Sequence, residues 1–129
     1  MNHSMPRILC VDDEPLNRSL LEAMLSSRGY DVVLAANGPE ALEKIRTERI
    51  DICLLDVMMP GMDGFEVCRR IKSDADHGYI PVVMVTALAD SENRIRGIEA
   101  GSEDFISKPF DAAEVLARIK DASAGQGAE

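Results

Sequence analysis

The sequence predicts a doubly wound α/β fold: a five-stranded parallel sheet with five helices packed on its two faces. Three observations predict it. Apolar runs of strand length alternate with stretches of helical period along the whole chain. The runs are nearly continuous in apolar residues, which marks strands buried on both faces. Strand–helix units repeated in this order, joined by right-handed crossovers, put helices on both sides of a parallel sheet.

Ile8 to Val11 reads as the first strand, and it stops at Asp12-Asp13-Glu14. Pro15 suits the first turn of a helix, where its missing N–H costs nothing. Leu16, Leu20, Leu21, Met24 and Leu25 form one face of that helix, and Gly29 ends it. Val32 to Ala35 is the second strand. Asn37-Gly38 is a turn signal, and Pro39 opens a second helix with Ala41, Leu42 and Ile45 inward. Ile52 to Leu55 is the third strand, closed by Asp56. Pro60, Gly61 and Gly64 make a loop of Met58 to Gly64. The third helix carries Phe65, Cys68 and Ile71 on one side, and Asp74 to Tyr79 is a polar connection. Pro81 to Val85 is the fourth strand and ends in Thr86. Helix four runs through Ile95 and Ile98 to Gly101. Asp104 to Ser107 is a short fifth strand leading to Lys108-Pro109, and the last helix carries Val115, Leu116 and Ile119. Residues 1–122 form one domain in this reading, and residues 123–129, small and polar, form a flexible C-terminal tail.

A chain of 129 residues buries a core without disulfides or metals to staple it. Hydrophobic residues at 46% and charged residues at 29% are ordinary for a globular domain, so disorder is not expected. The net charge of −9 repels a phosphate backbone, and the chain has no Trp to stack on bases. Direct nucleic-acid binding is therefore not expected. Cys10, Cys53 and Cys68 are widely spaced and odd in number, which argues against a disulfide framework or a zinc site. They read as small buried hydrophobes in a cytoplasmic protein. Met1 to Pro6 lacks the apolar core of a signal peptide, and no apolar run is long enough to span a membrane. His3 and His77 stand alone in segments expected at the surface.

The informative polar residues lie at strand ends. Asp12 and Asp13 end strand one, Asp56 ends strand three, Thr86 ends strand four and Lys108 follows strand five. Open α/β sheets bind ligands at the carboxyl ends of their strands, near the switch in strand order. If strands one and three are neighbours, as in the flavodoxin-like order 2-1-3-4-5, the three aspartates converge. Clustered carboxylates repel and tend to hold protons. A hard divalent cation relieves this, Mg²⁺ first, with Mn²⁺ or Ca²⁺ as alternatives. A carboxylate, a cation site, an ammonium and a hydroxyl suit phosphoryl transfer onto Asp56. Singly, each feature has a plainer explanation: a helix start favoured by the macrodipole for Asp12-Asp13-Glu14, a turn residue for Asp56, a strand end for Thr86, a solvated loop lysine for Lys108. The joint pattern on four strand ends favours the site.

The segments Val11-Asp12-Asp13-Glu14-Pro15, Leu55 to Gly64, Val85-Thr86-Ala87 and Lys108-Pro109-Phe110 resemble the receiver domain of two-component response regulators, over Arg7 to about Lys120. The resemblance implies that Asp56 is the phosphoacceptor. It implies Asp13 as the direct metal ligand, Asp12 as one acting partly through water, and the Met58 carbonyl as another. Thr86 and Lys108 are implied to bind the phosphoryl group, with a cis peptide at Lys108-Pro109. Phe105 stands where the family has its rotating aromatic, often Tyr, and lacks that hydroxyl. The output surface implied lies around helix four, strand five and helix five. In the family, side chains two residues after the acceptor and two after the Thr flank the path of the hydrolytic water. Here they are Met58 and Leu88, neither of which can hold a water, so a long-lived phosphoryl group is expected.

The implied donor is a histidine kinase or a histidine phosphotransfer protein, docking on the first helix and the loop after Lys108. The output is a downstream protein partner or a fused effector domain, and the chain is either free-standing or part of a larger regulator. Chemistry is limited to phosphorylation and dephosphorylation of the domain itself, with no turnover of a separate small molecule. An FMN carrier of similar fold would need a neutral, N–H-rich loop after strand one, where this chain has Asp12-Asp13-Glu14-Pro15. A hydrolase of the haloacid-dehalogenase type would need an Asp two residues after the nucleophile, where this chain has Met58. A pseudo-receiver would lack one of the five site residues, and all five are present.

Overall fold

Strand-length apolar runs become strands and the periodic stretches become helices, in strict alternation. The elements are β1 (Arg7–Val11), α1 (Pro15–Ser26), β2 (Asp31–Ala35), α2 (Gly38–Thr47), β3 (Ile52–Leu55), α3 (Gly64–Ser73), β4 (Val82–Thr86), α4 (Ser91–Ala100), β5 (Asp104–Ser107) and α5 (Ala112–Gly127). The structure is a computed structural model that describes residues 5–127, with side chains to residue 123. All strand pairs are parallel, in the order β2-β1-β3-β4-β5. This is the expected doubly wound order, with β1 beside β3.

Alternate residues of the strands feed two cores. Leu9, Val11, Cys53, Leu55, Met84 and Phe105 pack on one face against α2, α3 and Ala100 of α4. Ile8, Cys10, Leu54, Val83, Val85 and Ile106 pack on the other face against Leu21 and Leu25 of α1 and Val115 and Ile119 of α5. The period-two alternation of a strand sorts a continuous apolar run into these two sets.

The helices hold most of the departures from expectation. Leu21 and Leu25 are buried, but Leu16 is 68% and Leu20 48% exposed. Each pair is spaced i, i+4, and the two pairs are centred on well-separated sides of the helix, so only one can face the sheet. In α4 the small residues Gly97 and Ala100 are inward, while Ile95 and Ile98 point to solvent on the opposite side. Asn37-Gly38 is not a free turn. Asn37 Oδ1 accepts the Glu40 N–H at 2.8 Å, and Glu40 accepts the Ala36 N–H at 2.6 Å, so the pair caps α2. His77, expected at the surface, is half-buried with Nδ1 3.3 Å from Asp74; His3 lies outside the described residues. Residues 123–127, expected in the tail, continue α5 as helix. Residues 128–129 lie outside the described residues. All three cysteines are buried and unbridged, and burial pushes the Cys68 thiol up to about 12.

The ladder runs one residue beyond the strands into the polar cluster. Asp12 N–H donates to Ala35 O at 3.1 Å, Asp56 N–H to Val11 O at 3.0 Å and Lys108 N–H to Thr86 O at 2.9 Å. The start of α3 then passes against Asp56. Gly64 N–H donates to Val57 O at 2.9 Å. A Cβ on Gly64 would collide with the Asp56 carbonyl oxygen and sit 2.8 Å from Val57 Cα.

Gly64→Ala should therefore cost roughly 2–3 kcal/mol of unfolding free energy, as overpacking against rigid backbone does. Urea denaturation measures this, and a cost under about 0.5 kcal/mol would show that the loop yields freely.

Candidate functional site

Five side chains expected at the site meet at the carboxyl ends of β1, β3, β4 and β5. Asp12 and Asp56 are 2% and 5% exposed, while Asp13 beside them is open to solvent. One carboxylate oxygen from each of the three lies within 4.8 Å of the others. Lys108 Nζ reaches between the two buried ones, donating to Asp12 Oδ2 at 2.8 Å and Asp56 Oδ2 at 3.1 Å. The second oxygens face backbone. Asp12 Oδ1 accepts the Glu14 N–H at 2.9 Å, and Asp56 Oδ1 accepts the Met58 N–H at 3.3 Å. Thr86 is fully buried, and its Oγ1 accepts the Leu88 N–H at 3.2 Å. The Lys108-Pro109 peptide is cis.

Burial raises the Asp56 carboxyl above its ordinary value; the Lys108 charge and hydrogen bond pull it back, and the Asp12 charge pushes it up again. Burial alone would lower Lys108, but its bond to Asp12 and the charges of Asp56 and Asp12 leave it raised. Three carboxylates against one ammonium leave two uncompensated negative charges. The donor set is all oxygen. The residues present therefore fit a hard divalent cation. Asp12, Asp13 and Asp56 are the side chains that would hold it.

Asp13, Asn17, Asp56, Met58, Thr86 and Lys108 line an open cavity of about 360 Å³. An adjoining hollow of about 420 Å³ is lined by Asp13, Met58, Met59, Phe65, Leu88 and Arg96. Met58, 56% exposed, borders both, and Leu88 only the second. Phe105 does not join the cluster. It lies under α4, 7% exposed, in the core that also holds Val57 and Met59. Sequence reading missed Arg18, whose Nη1 donates to the Asp12 carbonyl at 2.7 Å and pins the acidic turn to α1. Its place one turn into a polar helix face carries no signal of that bond.

A family model described as the response regulator receiver domain matches residues 8–120. The response regulator PleD of Caulobacter vibrioides is 50% identical over 114 residues, 88% of this chain and 25% of that protein. Among solved structures, the chemotaxis protein CheY4 of Vibrio cholerae superposes with a TM-score of 0.88 at 31% identity, covering 92% of this chain and 98% of that one. The receiver domain of a Pseudomonas aeruginosa sensor histidine kinase, solved with a magnesium ion in its active site cleft, gives 0.84 at 34% identity, covering 91% and 96%. The chain spans a quarter to a half of the length of the sequence relatives.

The raised Asp56 carboxyl has a stability consequence. A carboxyl that binds its proton more tightly when folded loses stability as it ionises, so ionised Asp56 burdens the metal-free fold at neutral pH. Asp56→Asn should raise the melting temperature at pH 7 without divalent metal. The gain should shrink as pH falls through the raised pKa and wild-type Asp56 takes up its proton. An unchanged or lower melting temperature at pH 7 would show that Lys108 fully compensates the buried charge.

Proposed function

This chain belongs to the response regulator receiver family, the phosphorylation-switched domains of two-component systems, and from that premise we propose that Asp56 is its phosphoacceptor. The observation that carries the assignment is the placement of the Asp56 carboxylate: buried, 3.1 Å from Lys108 Nζ, and within 4.8 Å of two further carboxylates. In the proposed step a carboxylate oxygen of Asp56 attacks the phosphorus of a donor phosphohistidine. A P–O bond forms, the P–N bond breaks, and the imidazole leaves with the electron pair. Asp12, Asp13 and Asp56, with the Met58 carbonyl, would hold Mg²⁺, which would neutralise charge on the transferring oxygens. Lys108 exchanges its bond to Asp56 for one to a phosphoryl oxygen, and Thr86 donates its hydroxyl to another.

Receiver domains interact with histidine kinases and with effector domains. For this chain the donor face is proposed on α1 and the loop after β5. Leu16 and Leu20 are exposed there, beside a groove lined by Asn17, Leu20, Ala87, Lys108, Pro109 and Phe110 that opens at the Lys108 end of the site. The output face is proposed around α4, which exposes Ile95 and Ile98. Among the described residues no helix is long and apolar enough to cross a membrane, in keeping with a cytoplasmic setting.

Acetyl phosphate with Mg²⁺ should add one phosphoryl group, read by intact mass, and Asp56→Asn should abolish it. Undiminished labelling of that variant would overturn the assignment. The lifetime of the adduct is a separate matter. Met58 and Leu88 border one hollow beside Asp13 and offer an attacking water no side-chain hydrogen bond. A Met58→Asn/Leu88→Glu double variant should lose its phosphoryl group roughly five-fold faster than wild type, about 1 kcal/mol in the barrier. Equal rates at fixed Mg²⁺ would show that these two side chains do not gate the water.

A further inference from the structure

One peptide joins Asp12 to Asp13, and its carbonyl is where α1 takes hold of the acidic turn. Arg18, half-buried, donates from Nη1 to that Asp12 carbonyl oxygen at 2.7 Å. Glu14 and Glu22 stand four residues to either side of Arg18, the spacing at which helical side chains pair. Among the described residues the guanidinium forms an ion pair with neither and turns to the carbonyl. Asp12 is held at its other polar groups as well. Its N–H donates to Ala35 O at 3.1 Å, Oδ1 accepts the Glu14 N–H at 2.9 Å and Oδ2 accepts Lys108 Nζ at 2.8 Å. Asp13 differs. Its side chain is exposed and makes no hydrogen bond or ion pair among the described residues, so only its backbone directs the carboxylate.

We propose that Arg18 is a positioning residue for the cation site: by holding the peptide between Asp12 and Asp13 it sets the direction of the Asp13 carboxylate, and with it the preference of the site for Mg²⁺ over Ca²⁺. This rests on the reading of Asp12, Asp13 and Asp56 as cation ligands. Mg²⁺ demands near-ideal octahedral geometry at about 2.0–2.1 Å, whereas Ca²⁺ accepts flexible geometry at about 2.3–2.6 Å. A peptide released from Arg18 is free to rock, and rocking swings Asp13 off the stricter geometry first. Charge alone acts with the opposite sign. Removing a guanidinium from near three carboxylates strengthens their attraction for any cation, Mg²⁺ and Ca²⁺ alike. The positioning effect and the charge effect of Arg18 are therefore separable by direction and by ion.

The test titrates metal-free protein with MgCl₂ and with CaCl₂ by calorimetry at fixed ionic strength, while urea unfolding in EDTA reads the fold. Arg18→Met removes both donor and charge. Arg18→Gln keeps an amide that ends two bonds short of the guanidinium Nη atoms, and Arg18→Lys keeps a charged donor. In Arg18→Met and Arg18→Gln the dissociation constant for Mg²⁺ should rise roughly three-fold or more, and that for Ca²⁺ by less than half that factor. Arg18→Lys should recover most of the loss. Unchanged or tighter Mg²⁺ binding in the first two variants overturns the positioning role, as does equal weakening for both ions. Arg18→Lys as weak as Arg18→Met overturns it as well. If one of the first two variants does not fold, the other carries the test. Failure of both to fold shows a bond that serves the fold and not the cation site. No Mg²⁺ binding by wild type would instead overturn the cation-site reading beneath it.

Discussion

An ammonium shared by two buried carboxylates is what the rest of the structure is arranged around. Asp12 and Asp56 are almost without solvent, and Lys108 Nζ bonds to both. Carboxylates in such surroundings are costly unless paired. The pairing in turn demands a topology. β1 must lie beside β3 to bring the aspartates together, and β5 must end on the same side of the sheet for Lys108 to reach them. The backbone bonds of Asp12, Asp56 and Lys108 to neighbouring strand ends hold the three side chains in register. Pairing is incomplete all the same, because Asp13 adds a third carboxylate and Lys108 brings one charge. The surplus is what makes the site receptive to a cation.

Most of this was legible because it is a matter of position. An apolar run followed by an aspartate, repeated on neighbouring strands, states both the burial of the strand and the exposure of its end. The helix faces were less legible. Leu16/Leu20 and Leu21/Leu25 have the same period and the same chemistry, and only the sheet decides which pair it covers. In α4 the periodic isoleucines mark the outer face, because close approach to Phe105 of β5 selects Gly97 on the inner one and Ala100 of that face meets Cys68 of α3. Arg18 and Arg94 act through backbone carbonyls of a turn and a loop. A carbonyl is present at every residue, so no side-chain pattern announces such a partner. The fate of residues 123–127 hinges on marginal helix propensity, where composition decides little.

Lightly anchored elements suit a switch. α4 buries only Gly97 and Ala100 and is otherwise fastened at its rim, by Arg94 over Phe105, by Arg96 over Phe65 at 4.2 Å, and by Cys68 Sγ to Ala100 O at 3.4 Å. Side chains that small give α4 little dispersion and hydrophobic hold on the sheet. By contrast α1 and α5 are seated through full-sized Leu, Val and Ile side chains. Segments that must move are drawn from the weakly packed end of a fold.

The sorting of strand side chains into two separate cores has a consequence for traffic at the domain. α1 and α5 sit on one core, while α2, α3 and α4 sit on the other. The exposed leucines of α1 and the exposed isoleucines of α4 are thus divided by the whole thickness of the sheet. A protein seated on one side leaves the other side's apolar residues uncovered. On the proposal that α1 takes the phosphoryl donor and α4 the output partner, neither seat blocks the other, and both proteins fit on one molecule at once.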